Sequence, residues 1–112
     1  MYAKPLISAT LKPIMLSILA EGEAYGYQII SRVQKMSKGQ IQWTTGTLYP
    51  LLHRLEKGGL VASYWRDVPN APRRKYYRLT PQGEQALERE KGQWMEIQHM
   101  MAELWGLKLV IE

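Results

Sequence analysis

The stretch Gly46-Thr47-Leu48-Tyr49-Pro50-Leu51-Leu52-His53-Arg54-Leu55-Glu56-Lys57-Gly58-Gly59-Leu60-Val61 changes its hydrophobic period partway along, and that change decides the fold. Leu48, Leu51, Leu52 and Leu55 share one side of a helix, with His53, Arg54 and Lys57 on the other. Gly58-Gly59 stops the helix, and Leu60 opens a β-like run to Arg66. A second such run, Arg73 to Leu79, follows the proline-bearing segment Asp67-Val68-Pro69-Asn70-Ala71-Pro72, so the two predict a hairpin. An interior proline costs roughly 3 kcal/mol, which places the helix start near Gly46 or Thr47, with Pro50 in the first turn.

Two more helices precede this unit. The first is predicted from a cap at Thr10 or Lys12, with Pro13 in its first turn, to about Glu21; Leu11, Ile14, Met15, Ile18 and Leu19 form its apolar face. The same run imitates a secretory signal, but its one-faced spacing favours an amphipathic helix, and no stretch has the length of a membrane span. The second is predicted from near Tyr25 to Ser37-Lys38-Gly39, with Gly26, Ile29, Ile30, Val33 and Met36 on its buried face and Gly26 allowing close helix approach. After the hairpin, Thr80-Pro81 reads as an N-cap followed by proline at the first helical position, opening a helix to about Trp105. Three helices and a hairpin, in that order, are the succession of a winged helix-turn-helix. The predicted class is mainly α with a small β-hairpin, residues 1–80 forming the winged unit and 81–112 a long C-terminal dimerisation helix and tail.

Charge divides along the same boundary. The 112 residues carry a net +5, but residues 1–80 hold 12 basic and 4 acidic side chains while 81–112 hold 3 basic and 6 acidic. A basic body points to a polyanionic partner. The absence of cysteine excludes disulfides, thiolate metal sites and a cysteine nucleophile. His53 and His99 fall on different predicted helices without ligand-spaced acidic partners, and no glycine-rich phosphate loop occurs, so neither enzyme, metal site nor cofactor is expected.

The candidate DNA contacts fall on two elements. Arg66, Arg73, Arg74 and Lys75, with Arg78, concentrate positive charge on the hairpin against the single Asp67, a pattern suited to phosphate. Phosphate contacts position a protein without specifying sequence. Base readout therefore falls to Thr45, Thr47, Tyr49, His53 and Arg54, which offer hydroxyl, phenol, imidazole and guanidinium groups around the third helix. In the last helix, Leu87, Trp94 and Met101 recur every seven residues, and Ile97 and Leu104 lie three after the latter two, with Glu90 a polar gap. Five such side chains are worth roughly 8–15 kcal/mol if buried, as an upper bound, and a symmetry mate is the simplest cover. A crossing near Trp94 would build a slot, completed by Ile97 and Met101, for a planar aromatic or cationic small molecule.

Three segments together, Ala24-Tyr25-Gly26-Tyr27-Gln28-Ile29, Gly46 to Val61, and Arg73-Arg74-Lys75-Tyr76-Tyr77-Arg78-Leu79-Thr80-Pro81-Gln82-Gly83, closely resemble the PadR family of bacterial transcriptional regulators. The resemblance runs from residue 11 to about 105 and departs at Val68-Pro69-Asn70-Ala71-Pro72, where many relatives have a glycine-richer tip. It implies a homodimeric, cytoplasmic DNA-binding repressor that reads a pseudo-palindromic operator on double-stranded DNA. A single C-terminal helix resembles the short subfamily, which includes multidrug-sensing repressors whose tryptophan on this helix stacks on planar drugs; Trp94 is the matching residue. The residues leave a second reading open, a winged helix that binds another protein and reads no sequence.

Overall fold

Helix α1 spans Lys4–Ala20 in the computed structural model, which describes residues 1–107. It begins well before Thr10 or Lys12, because Pro5 supplies the pre-set φ of a first turn and Pro13 is carried inside the helix. The N–H missing at Pro13 would have met the carbonyl of Ala9, an exposed residue. Thr10 caps nothing; its hydroxyl donates back to the carbonyls of Leu6 and Ile7.

A two-residue strand, β1 (Ala24–Tyr25), then precedes α2 (Gly26–Met36), where a helix start was expected. The Tyr25 N–H donates to Gln28 Oε1 at 3.1 Å. Ile29 and Val33 are buried as their spacing requires, but Met36, at the last turn, is 63% exposed and leaves the expected buried face. Gly26 is buried against α3 (Thr45–Lys57): a Cβ there would lie 2.6 Å from the Tyr49 hydroxyl. Helix α3 starts one to two residues earlier than expected, with Thr44 at its N-cap, so Pro50 falls in the second turn rather than the first. The carbonyl deprived of its donor is that of Gly46, an exposed residue whose place leaves it within reach of solvent.

The hairpin is longer and tighter than the sequence suggested. Strands β2 (Val61–Val68) and β3 (Ala71–Leu79) leave only Pro69-Asn70 as the tip, with Asn70 at φ 59°, a left-handed position asparagine tolerates. Arg66 pairs with Arg74 but Val68 with Ala71, so Pro72 and Arg73 together oppose Asp67. The resulting bulge accommodates a proline that could donate nothing to a regular ladder. With Ala24 opposite Tyr77, the sheet order is β1-β3-β2, all antiparallel.

The core gathers Met15, Leu16 and Leu19 of α1, Ile29 and Val33 of α2, the leucines of α3, and Val61 and Tyr77 of the sheet. Helix α4 (Pro81–Leu104) adds Ala86 and Leu87 to it. Leu87, at 3% exposure, therefore belongs to the chain's own interior and is withdrawn from the expected dimer seam; α1 lies where a partner was anticipated. Glu90, the gap in that seam, reaches Lys12 of α1 at 3.5 Å. The predicted cap is present: Thr80 Oγ1 accepts from the Gly83 N–H at 3.0 Å and donates to the Gly59 carbonyl at 2.6 Å. Of the expected 81–112 segment, 108–112 lie outside the described residues. Among the described residues no helix is long and apolar enough to cross a membrane.

Gly83 is the tightest point of this junction. A Cβ would strike the Leu60 carbonyl oxygen and stand 2.7 Å from Leu79 Cδ1, and a backbone oxygen cannot swing aside. Gly83→Ala is expected to cost about 1–3 kcal/mol, read as a lowered urea midpoint at unchanged m-value. An unmoved midpoint would mean that the Leu60 backbone yields freely.

Candidate nucleic-acid interface

A cleft of about 570 Å³ separates the recognition side of α3 from the wing. The start of α2 contributes Tyr27, α3 contributes Tyr49 and His53, and the wing contributes Trp65, Arg73, Arg74 and Lys75; no carboxylate among the described residues lines it. Strand alternation explains the wing's share. Trp65 pairs with Lys75 and Ser63 with Tyr77, so these four face α3, and beyond the reach of the core the same face becomes a wall of the cleft.

Cations here are held by aromatic rings as well as by charge. Arg73 stands 5.5 Å from the Trp65 ring and pairs with exposed Asp67 at 3.3 Å, while Lys75 lies 6.0 Å from Trp65 and 5.7 Å from Tyr77. Arg74 rests over Tyr25 at 4.5 Å, at the edge of the cleft. Such stacking restricts a long side chain without neutralising it, leaving charge available to a polyanion.

Of the expected base-reading residues, Tyr49 and His53 line the cleft together. Thr45 and Arg54 are exposed on α3 outside it, and Thr47 is half-buried with its hydroxyl accepting from Thr44 at 3.4 Å. Tyr49 is 37% exposed, its ring braced against Gly26. Tyr27 and Trp65, 71% and 56% exposed, were missed by the sequence reading. For Trp65 the signal was available in the alternation of β2; for Tyr27 it was its place beside the buried Gly26.

Arg66 is not brought to this cleft. It lies on the opposite face of the sheet, where its guanidinium donates to the Glu23 carboxylate and, at 2.7 Å, to the Tyr64 hydroxyl, over the Tyr76 ring at 4.1 Å. The neighbouring Tyr64 hydroxyl and Arg66 guanidinium hold the Glu23 carboxyl below the usual carboxylate range, so the contact weakens only as pH falls through that lowered value. Arg66 is thus withdrawn from the set of free wing cations.

The expected ligand residues are also divided. Half-buried Trp94 lines an apolar groove of about 320 Å³ with Pro13, Ile14 and Ser17 of α1 and Met36 of α2. Neither Ile97 nor Met101 lines it. Beyond the groove, Ile97, Met100 and Leu104 leave a largely exposed apolar face on α4, with Met95 exposed on the opposite side.

The sequence profile of the transcriptional regulator PadR-like family matches residues 15–89, from α1 through the wing into α4. The transcriptional regulator Rv3488 of Mycobacterium tuberculosis is 37% identical over 83 residues, 74% of this chain and 74% of that protein. The crystal structure of a PadR family transcriptional regulator from Eggerthella lenta superposes with a TM-score of 0.78 at 36% identity, covering 90% of this chain and 86% of that one. A transcriptional regulator from Clostridium thermocellum gives 0.80 at 30% identity, over 89% and 97%. The winged helix-turn-helix, its single trailing helix and these likenesses lead to one conclusion: the chain belongs to the PadR-like family of transcriptional regulators, a family of DNA-binding rather than catalytic proteins, and has the form of its short members.

Proposed function

We propose that the protein is a homodimeric, sequence-specific repressor whose hold on operator DNA is relieved by a small molecule. The carrying observation is the carboxylate-free cleft between α3 and the wing. Its place between an exposed helix and a basic hairpin suits one DNA strand, with α3 in the major groove and the wing beside it. Thr45, Thr47, Tyr49, His53 and Arg54 then meet bases or backbone, and Arg73, Arg74 and Lys75 meet phosphate. In a two-fold dimer the recognition helices would lie roughly 34 Å apart on a pseudo-palindromic site, a task for bacterial cytoplasm. Residues 1–80 would serve DNA, and the helix from Pro81 would serve association through Trp94, Ile97, Met101 and Leu104.

The Trp94 groove supports the effector part of this reading. It is apolar, bounded by an indole and open to solvent, and its one charged wall, Lys91, is paired with Glu88 at 3.2 Å. That lining favours planar aromatic compounds without selecting their charge. A gel shift on the DNA upstream of its own gene tests the whole: a shift reversed by a planar ligand is expected, and no shift on any duplex would favour a protein-binding winged helix. Titration of neutral, anionic and cationic planar dyes should quench Trp fluorescence, and quenching that persists in Trp94→Ala would remove Trp94 from the site.

A further inference from the structure

The outer face of the sheet carries an arrangement that meets the cleft only at Tyr25. Glu23 precedes β1, at one edge of the sheet, and its carboxylate receives Arg66 from β2, at the other edge, across the intervening β3. Between them lies Tyr76 of β3, with the Arg66 guanidinium 4.1 Å above its ring. Tyr76 in turn meets Tyr25 of β1 edge-on at 5.3 Å and stacks with Tyr64 of β2 at 5.9 Å. All three strands are thus bound by one layer of side chains on the face away from α3.

We infer that Glu23 is a positioning residue for DNA binding, which clasps the wing to the α1–α2 junction through Arg66 and so fixes the wing's angle to the recognition helix. Two features carry this beyond an ordinary surface ion pair. First, strand alternation turns Arg73 and Lys75 toward the cleft but Arg66 and its cross-strand partner Arg74 toward the outer face, where Arg74 rests over Tyr25 and the charge of Arg66 is spent on a carboxylate 43 residues away in sequence. Second, β1 is only two residues long and pairs with β3 alone, so backbone bonds by themselves hold the junction weakly against the wing. The carboxylate extends that attachment to the far strand.

The inference rests on the DNA-binding reading, and its test separates the two. Glu23→Gln and Arg66→Ala should each weaken specific duplex binding about threefold to tenfold. The slope of log affinity against log salt should stay unchanged, because no phosphate contact is lost. The charge swap Glu23→Arg with Arg66→Glu should restore much of the affinity. A slope reduced in Arg66→Ala would make Arg66 a phosphate ligand and overturn the clasp, as would tighter binding by Glu23→Gln, which would mean that Glu23 merely repels DNA. In the free protein, Glu23→Gln should raise hydrogen exchange at wing amides of β3 without lowering helix content, and unchanged exchange would overturn the clasp even if no duplex were bound. Absence of binding by the wild type, with the exchange effect present, would count against the DNA reading alone.

Discussion

Between 50 and 200 mM salt the affinity of the proposed dimer for duplex DNA is expected to fall by about 10³ to 10⁵, the response of a protein that neutralises some 6–10 phosphates. The cations responsible face or flank the cleft. Arg73 is exposed and only loosely paired with Asp67, while Lys75 is steered by the Trp65 and Tyr77 rings. Arg73→Ala with Lys75→Ala should therefore reduce the salt slope by about 0.9 for each contact removed, or about 3.6 across two subunits. Specific and non-specific duplexes should suffer alike, since phosphate is common to both. Fluorescence anisotropy over a salt series measures both quantities. A flat response would show that the wing does not touch the backbone.

If the proposed dimer forms through α4, Ile97→Glu with Leu104→Glu is expected to leave the protein monomeric. These side chains are 44% and 75% exposed in the single chain, so the change should leave helix content intact. What it removes is intermolecular: four apolar side chains across a two-fold axis, worth roughly 6–12 kcal/mol as an upper bound, each replaced by a charge facing its copy. Sedimentation or light scattering reads the mass, and operator affinity should collapse to that of one half-site. A variant that remained dimeric would move the interface off this face of α4.

The winged order was legible because each element carries its own period, from the leucines of α3 to the alternation of the hairpin. Prolines were harder, since Pro5, Pro13 and Pro50 each satisfy a local rule for a first turn, while Pro13 and Pro50 are carried inside helices where the residues that lose a donor, Ala9 and Gly46, are exposed. Strand β1 is too short to have a period. Leu87 looked like the start of a seam because heptad spacing cannot say whether the covering helix belongs to another chain or to α1. For the candidate interface, charge density located the wing, but not which cations were already engaged. That Arg66 meets Glu23 follows from a pairing of distant strands, which no window of sequence contains.

The junction at Thr80 and Gly83 has a mechanical meaning. Thr80 bonds to the Gly59 and Leu60 carbonyls just past the end of α3, and Gly83 lies flush against Leu60, so the start of α4 and the end of the recognition helix move together. A helix of 24 residues is a lever arm of about 36 Å, and a tilt of about 5° at one end is a displacement of about 3 Å at the other. Geared in this way, a small change in how two copies of α4 would cross in the proposed dimer would become a change in the spacing of its two recognition helices, comparable to the rise of one base pair.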